Sequence, residues 1–123
     1  MQLIKTSHIF SNIQARDAIL INTVIHLSKR NELMFKGTVY SELIKPNDSG
    51  TILPFELCFQ NIKMFEFINL ELSELDSKME SNFMEVKDSE FIREKNLQGF
   101  HHYVFSTYDY VYQIIAKTYN GIL

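Results

Sequence analysis

Apolar and polar residues alternate with a period of two over several stretches, the spacing of strands that bury at least one face. In residues 17–27, Ile19, Ile21, Thr23, Ile25 and Leu27 point one way and Ala18, Leu20, Asn22, Val24 and His26 the other. Both sets are largely apolar, which predicts a central strand. Ser28-Lys29-Arg30-Asn31 has turn chemistry. Leu33, Phe35, Gly37, Val39 and Leu43 then alternate with Met34, Lys36, Thr38, Tyr40 and Glu42. They form the second arm of a hairpin, with Gly37 as a candidate bulge. Before this, Ile4, Ile9, Phe10 and Ile13 fit either a short strand or an irregular lead-in.

Lys45-Pro46-Asn47-Asp48-Ser49-Gly50 is the clearest loop: Pro fixes φ, Asn and Asp bond to their own backbone, and Gly permits φ > 0. A third strand follows, with Phe55, Leu57 and Phe59 on one face and Glu56, Cys58 and Gln60 on the other. Pro54 sits near its start, where a missing N–H is tolerated. Gln60-Asn61 reads as a tight turn, and residues 63–70 as a fourth strand. Within 71–98, Leu72, Leu75 and Met79 have helical spacing with Ser73 as a cap, and Phe91-Ile92 begins a second short helix.

The densest β-branched and aromatic run is residues 100–119, which hold five of the six tyrosines. It predicts a strand pair broken at Tyr108-Asp109. Its second half reads two ways: Val111, Ile114, Ile115, Thr118 and Tyr119 fit an amphipathic helix ended by Asn120-Gly121, while Tyr110, Tyr112, Ile114 and Ala116 alternate as a strand. The β-rich composition favours the strand. The fold expected is a single mainly β domain over residues 1–123: an antiparallel β-sandwich or curved sheet of about six or seven strands with one or two short helices. Its core is expected to hold Ile19, Ile21, Ile25, Leu33, Phe35, Val39, Phe55, Leu57, Phe59, Phe65, Phe67, Tyr103, Phe105 and Ile114.

Composition sharpens this picture at two points. Cys58 is the only cysteine, so no intrachain disulfide forms, and a chain of this size without one fits a reducing cytosol. The first residues lack the apolar core of a signal peptide, and the longest apolar run, residues 18–21, is far short of a membrane span. A cytoplasmic protein without membrane contact is expected. The net charge is −3, and the basic residues form no stripe, which disfavours nucleic acid as a partner. The acidic residues do cluster: residues 66–94 carry nine carboxylates against Lys78, Lys87 and Arg93, a net −6, leaving the remainder at +3. Dense carboxylates steer association with a cationic partner.

Catalytic chemistry has weaker support. His101 and His102 are adjacent, so on a strand they face opposite sides and cannot share one metal ion. His26 or Asp109 reaches either of them only through the fold. One buried, hydrogen-bonded histidine beside one exposed histidine is the simpler expectation. Cys58 lies between Leu57 and Phe59 with no cation beside it, as an unreactive buried thiol does. Asp109 fits a turn residue better than a general base. There is no phosphate loop, no dinucleotide fingerprint and no defensible Ser-His-Asp order. No catalytic residue, cofactor or metal ion is expected.

Two segments carry a pattern-level resemblance. One runs from Leu53-Pro54-Phe55-Glu56-Leu57 through Asn61-Ile62-Lys63-Met64-Phe65-Glu66-Phe67. The other is His102-Tyr103-Val104-Phe105 followed by Tyr108-Asp109 and Ile114-Ile115-Ala116. Together they resemble the small cytosolic β-rich immunity proteins encoded beside bacterial polymorphic toxins. The resemblance implies a non-enzymatic, partner-binding role and carries over no individual functional residue. The reading is therefore a protein-binding module for a basic partner, an immunity protein neutralising a toxin domain. Glu80, Glu85 and Asp88 would steer and Phe83, Met84 and Phe91 anchor. The alternatives are a small-molecule module using the tyrosines, or a small metal-dependent hydrolase built on His26, His101 or His102 with Asp109.

Overall fold

The computed structural model describes residues 2–14, 18–43 and 50–123. Seven strands form one antiparallel sheet: β1 (Gln2–Lys5), β2 (Ile19–Leu27), β3 (Glu32–Tyr40), β4 (Ile52–Asn69), β5 (Phe83–Lys87), β6 (His101–Ser106) and β7 (Tyr110–Ile122). Their spatial order is β1-β5-β6-β7-β4-β3-β2. Among the described residues one short helix, α1 (Glu90–Glu94), and 3₁₀ turns at Ile9–Asn12, Ser41–Leu43, Leu70–Leu72 and Asp76–Lys78 accompany the sheet. The mainly β architecture is as the alternation predicts, in its single-sheet form. The loop expected at residues 45–50 lies outside the described residues except for Gly50.

The sheet makes its own core by curling. Phe35 on β3 and Phe105 on β6 are three strands apart, about 14 Å in a flat sheet, yet their ring centroids are 5.6 Å apart. Phe59 on β4 and Phe83 on β5 span the same number of strands at 5.9 Å. The concave face therefore closes on a cluster of phenylalanines, joined by Leu57, Ile114 and Tyr103. The Ile9–Asn12 turn plugs this face: Phe10 is fully buried, edge-on to Phe55 and stacked on Phe105. Ser11 fixes the turn by donating its hydroxyl to the Phe83 carbonyl. On the convex side Leu70, Val86, Val104 and Val111 form a second, smaller cluster, covered by Leu3, Leu75 and Met79.

β2 is an edge strand, not the central one its two apolar faces predict. Ile21 pairs with Gly37 but Thr23 with Lys36, so Asn22 is an extra residue. The bulge thus sits on β2, opposite Gly37 rather than at it. One extra residue reverses every later side chain: Val24 comes beside Phe35, and Ile25 beside Met34 on the other face. Ile25 accordingly leaves the concave cluster, and Leu20 and Val24 are exposed.

Gln60-Asn61 does not reverse the chain. β4 is one strand of 18 residues, bent where Asn61 takes φ 57° and the register slips between Ile62 and Met64. Asn31, at the β2–β3 turn, braces the bend by accepting from the Ile62 amide and donating to its carbonyl. Asn tolerates the left-handed region, so turn chemistry here makes a corner. The helix expected over Leu72, Leu75 and Met79 is replaced by two 3₁₀ turns, and Leu43 lies in a turn beyond the end of β3. Phe67 faces the concave side but is 58% exposed, and Ile21 and Phe65 only border the core. β7 settles residues 110–120 as strand, and α1 forms where Phe91-Ile92 predicts a helix.

Candidate functional site

β5 ends at Lys87, and Asp88 turns the chain with φ 52° into Ser89, which caps α1. This corner opens a cavity of about 500 Å³ lined by Val86, Lys87, Asp88, Ser89, Glu90, Phe91, Arg93, Gln2 and His102. Ser89 and His102 are its buried polar members, at 5% and 7% exposure. His102 stands on the convex face of β6, held between two partners. Ser89 Oγ lies 2.7 Å from Nδ1, and Gln113 Oε1 on β7 lies 2.8 Å from Nε2. Gln113 Nε2 in turn donates to Glu66 Oε1 on β4 at 2.9 Å.

The far end of this row sets every proton. A carboxylate only accepts, so the Gln113 amide presents its NH₂ to Glu66 and its carbonyl to His102. The imidazole must then carry its proton on Nε2, and the lone pair on Nδ1 receives the Ser89 hydroxyl proton. Burial holds the His102 pKa below the usual histidine value, outweighing the Gln113 bond and the nearby Glu66 and Glu85 charges. The neutral form is the one this hydrogen-bond row requires.

The remaining sequence candidates scatter. His101 faces the concave side and pairs with Glu85 Oε2 at 2.7 Å. His26 is exposed on the edge strand β2, and Asp109 is exposed in the β6–β7 turn, where its carbonyl accepts from the Leu70 amide. The constellation of His26, His101 or His102 with Asp109 does not assemble, and among the described residues no three His, Cys, Asp or Glu side chains converge. Cys58 is buried, and its thiol is pushed up to about 11 by burial and by Glu32, whose Oε2 accepts from Sγ at 3.2 Å. The tyrosines divide between core and surface: Tyr103 and Tyr112 are buried, whereas Tyr108 and Tyr110 are exposed.

Among the partner-binding candidates, Phe83 and Met84 are corrected outright. At 0% and 1% exposure they are core residues on opposite faces of β5 and cannot anchor anything from outside. Glu85 is occupied by His101. Glu80 is exposed just before β5, while Asp88 and Phe91 line the cavity, Phe91 partly buried. The Ser89–His102 pair escaped the sequence because a serine before a helix reads only as a cap, and 13 residues separate the two. The β5 segment was the missing signal, since its pairing with β6 brings them together.

His8 supplies a pH test of this packing. Its Nδ1 accepts from the Phe10 amide at 3.1 Å, and its ring lies against Phe10, Phe83 and Tyr119. Burial lowers its pKa to about 4. Unfolded, the group titrates near 6.5, so below that value the unfolded chain binds protons that the folded one refuses, and stability falls as pH drops. His102 acts with the same sign. The urea midpoint should therefore decline from about pH 6.5 to about pH 5, above the range where carboxylates dominate. His8→Asn should flatten much of that decline; an unchanged slope would show that His8 is protonated in place.

Among the described residues no helix is long and apolar enough to cross a membrane. No family model, no curated protein and no solved structure matches the chain.

Proposed function

We propose that the chain works by binding another protein, a basic one, in the manner of an immunity protein that neutralises a toxin domain. One observation carries the reading. Of the nine carboxylates in residues 66–94, seven are exposed, and none of those seven belongs to either ion pair of the described residues, Lys36–Glu56 and His101–Glu85. Apart from Glu66, which accepts from Gln113, their charge is left to act on solvent and on whatever approaches. Unpaired surface carboxylates raise encounter rates with a cationic partner more than they raise affinity. Phe91, partly exposed beside Glu90 and Glu94, supplies an apolar contact among them.

The test uses residues whose side chains make no hydrogen bond or ion pair among the described residues. Glu80, Glu90 and Glu94 are each replaced by lysine, and association with the partner captured from the native host is timed at two ionic strengths. The expected result is association slowed by about tenfold at low salt, with a flattened salt dependence and an unchanged circular dichroism spectrum. Equal rates for the variant and the parent chain would reduce the acidic surface to a solvated one.

A further inference from the structure

The cavity beside α1 contains more than a cap requires. A serine that only caps a helix has to do no more than accept from one amide, and here that bond, from the Ile92 N–H to Ser89 Oγ, is long at 3.5 Å. The bond between Ser89 Oγ and His102 Nδ1 is 2.7 Å. The hydroxyl is thus placed by the imidazole rather than by the helix. His102 has its tautomer fixed from behind by Gln113 and Glu66, leaving Nδ1 as the acceptor. Both residues reach a space large enough for a small molecule. Hydroxyl, base and orienting group in hydrogen-bonded sequence are the parts of an activated serine nucleophile.

We propose that Ser89 is a nucleophile and His102 its general base, acting on a small uncharged carboxylic ester held in this cavity. Lys87 and Arg93 at the rim are matched by Asp88 and Glu90, and Val86 and Phe91 supply apolar wall, so the lining selects no net charge. Ser89 Oγ attacks the ester carbonyl carbon while its proton passes to His102 Nδ1. The bond from that carbon to the leaving alcohol oxygen breaks, and the alcohol departs with the proton. Water, deprotonated by the same imidazole, then hydrolyses the acyl-serine and restores the hydroxyl. Gln113 is a positioning residue, acting through His102. This reading is independent of protein binding and is read on the isolated chain.

The probes are an alkyl fluorophosphonate, which exchanges its fluoride for a serine oxygen, and p-nitrophenyl acetate. The wild-type chain should gain one phosphonyl group, mapped to Ser89, and should hydrolyse the ester above background. Ser89→Ala should abolish the adduct. His102→Asn should slow labelling by about 100-fold, the scale of a lost general base. Gln113→Leu should slow it less while moving the acid limb of its pH profile, which a purely structural role would not do. Because burial keeps His102 neutral, the wild-type rate should be flat through neutrality and fall only in acid. Thermal midpoints establish that the variants fold. A wild-type chain with no adduct at Ser89 overturns the proposal without recourse to any variant, as does ester hydrolysis that a folded Ser89→Ala chain retains.

Discussion

Phe35→Ala is expected to lower the free energy of unfolding by about 3–5 kcal/mol, the range for deleting a buried aromatic ring. Phe35 is fully buried and touches rings from three other strands: Phe59 and Phe65 on β4, Phe105 on β6 and Tyr112 on β7. It is a keystone of the curl, because its contact with Phe105 crosses the concave face. The cavity left behind cannot collapse easily, since closing it would require the sheet to curl further. Phe67→Ala is the matched control. That ring is 58% exposed, and its loss should cost under about 1 kcal/mol. Urea titrations of both variants provide the comparison, and equal losses would mean that the two ends of the concave face are wrongly distinguished.

Gly37→Ala should cost about 3 kcal/mol, at the upper end of the range for forced overpacking, although it adds one carbon to an edge hairpin. A Cβ at residue 37 would stand 1.9 Å from the Leu20 carbonyl oxygen and 3.0 Å from the Phe55 ring. The first contact is with backbone, so no side-chain rotation relieves it. The glycine is required for space rather than for its dihedral freedom. The bulge at Asn22 presses the β2 backbone onto β3, and a side chain there would drive β2 off its register with Val39, Thr38 and Gly37. Gly99→Ala probes the opposite case, φ 86° with nothing within 4 Å of the new carbon. If Gly37→Ala unfolds within about 0.5 kcal/mol of the parent chain, the Leu20 carbonyl is free to move aside.

Alternation made β3 and the first half of β4 legible, because each keeps period two over a buried face, while the density of β-branched and aromatic residues marked β6, which is buried on both faces. Alternation failed where the backbone departs from that period. Asn22 and Lys63 each add a residue, and the facing of Val24 and Ile25 follows the bulge rather than the pattern. β5 was concealed for another reason. Phe83 and Met84 are both buried, one under the ring cluster and one on the convex side, so no polar partner alternates with them. An acidic neighbourhood then made two apolar residues look like exposed anchors. The Ser89–His102–Gln113–Glu66 row joins four segments by strand order alone, which single-strand patterns do not encode.

The strand that comes last in sequence is the middle of the sheet. β7 pairs with β6 on one side and with β4 on the other, so while the chain is being synthesised two half-sheets wait for it. β2, β3 and β4 can form by local hairpin closure, but β4 then displays an open, apolar edge until residues 110–122 emerge. Unpaired strand edges are what newly made chains aggregate through. For this domain the hazard is a matter of timing, and it is greatest in the interval between completion of β4 and arrival of β7. A truncation before Tyr110 would fix the chain in that interval, with β6 deprived of its inner neighbour and β4 left as the edge of a three-stranded remnant.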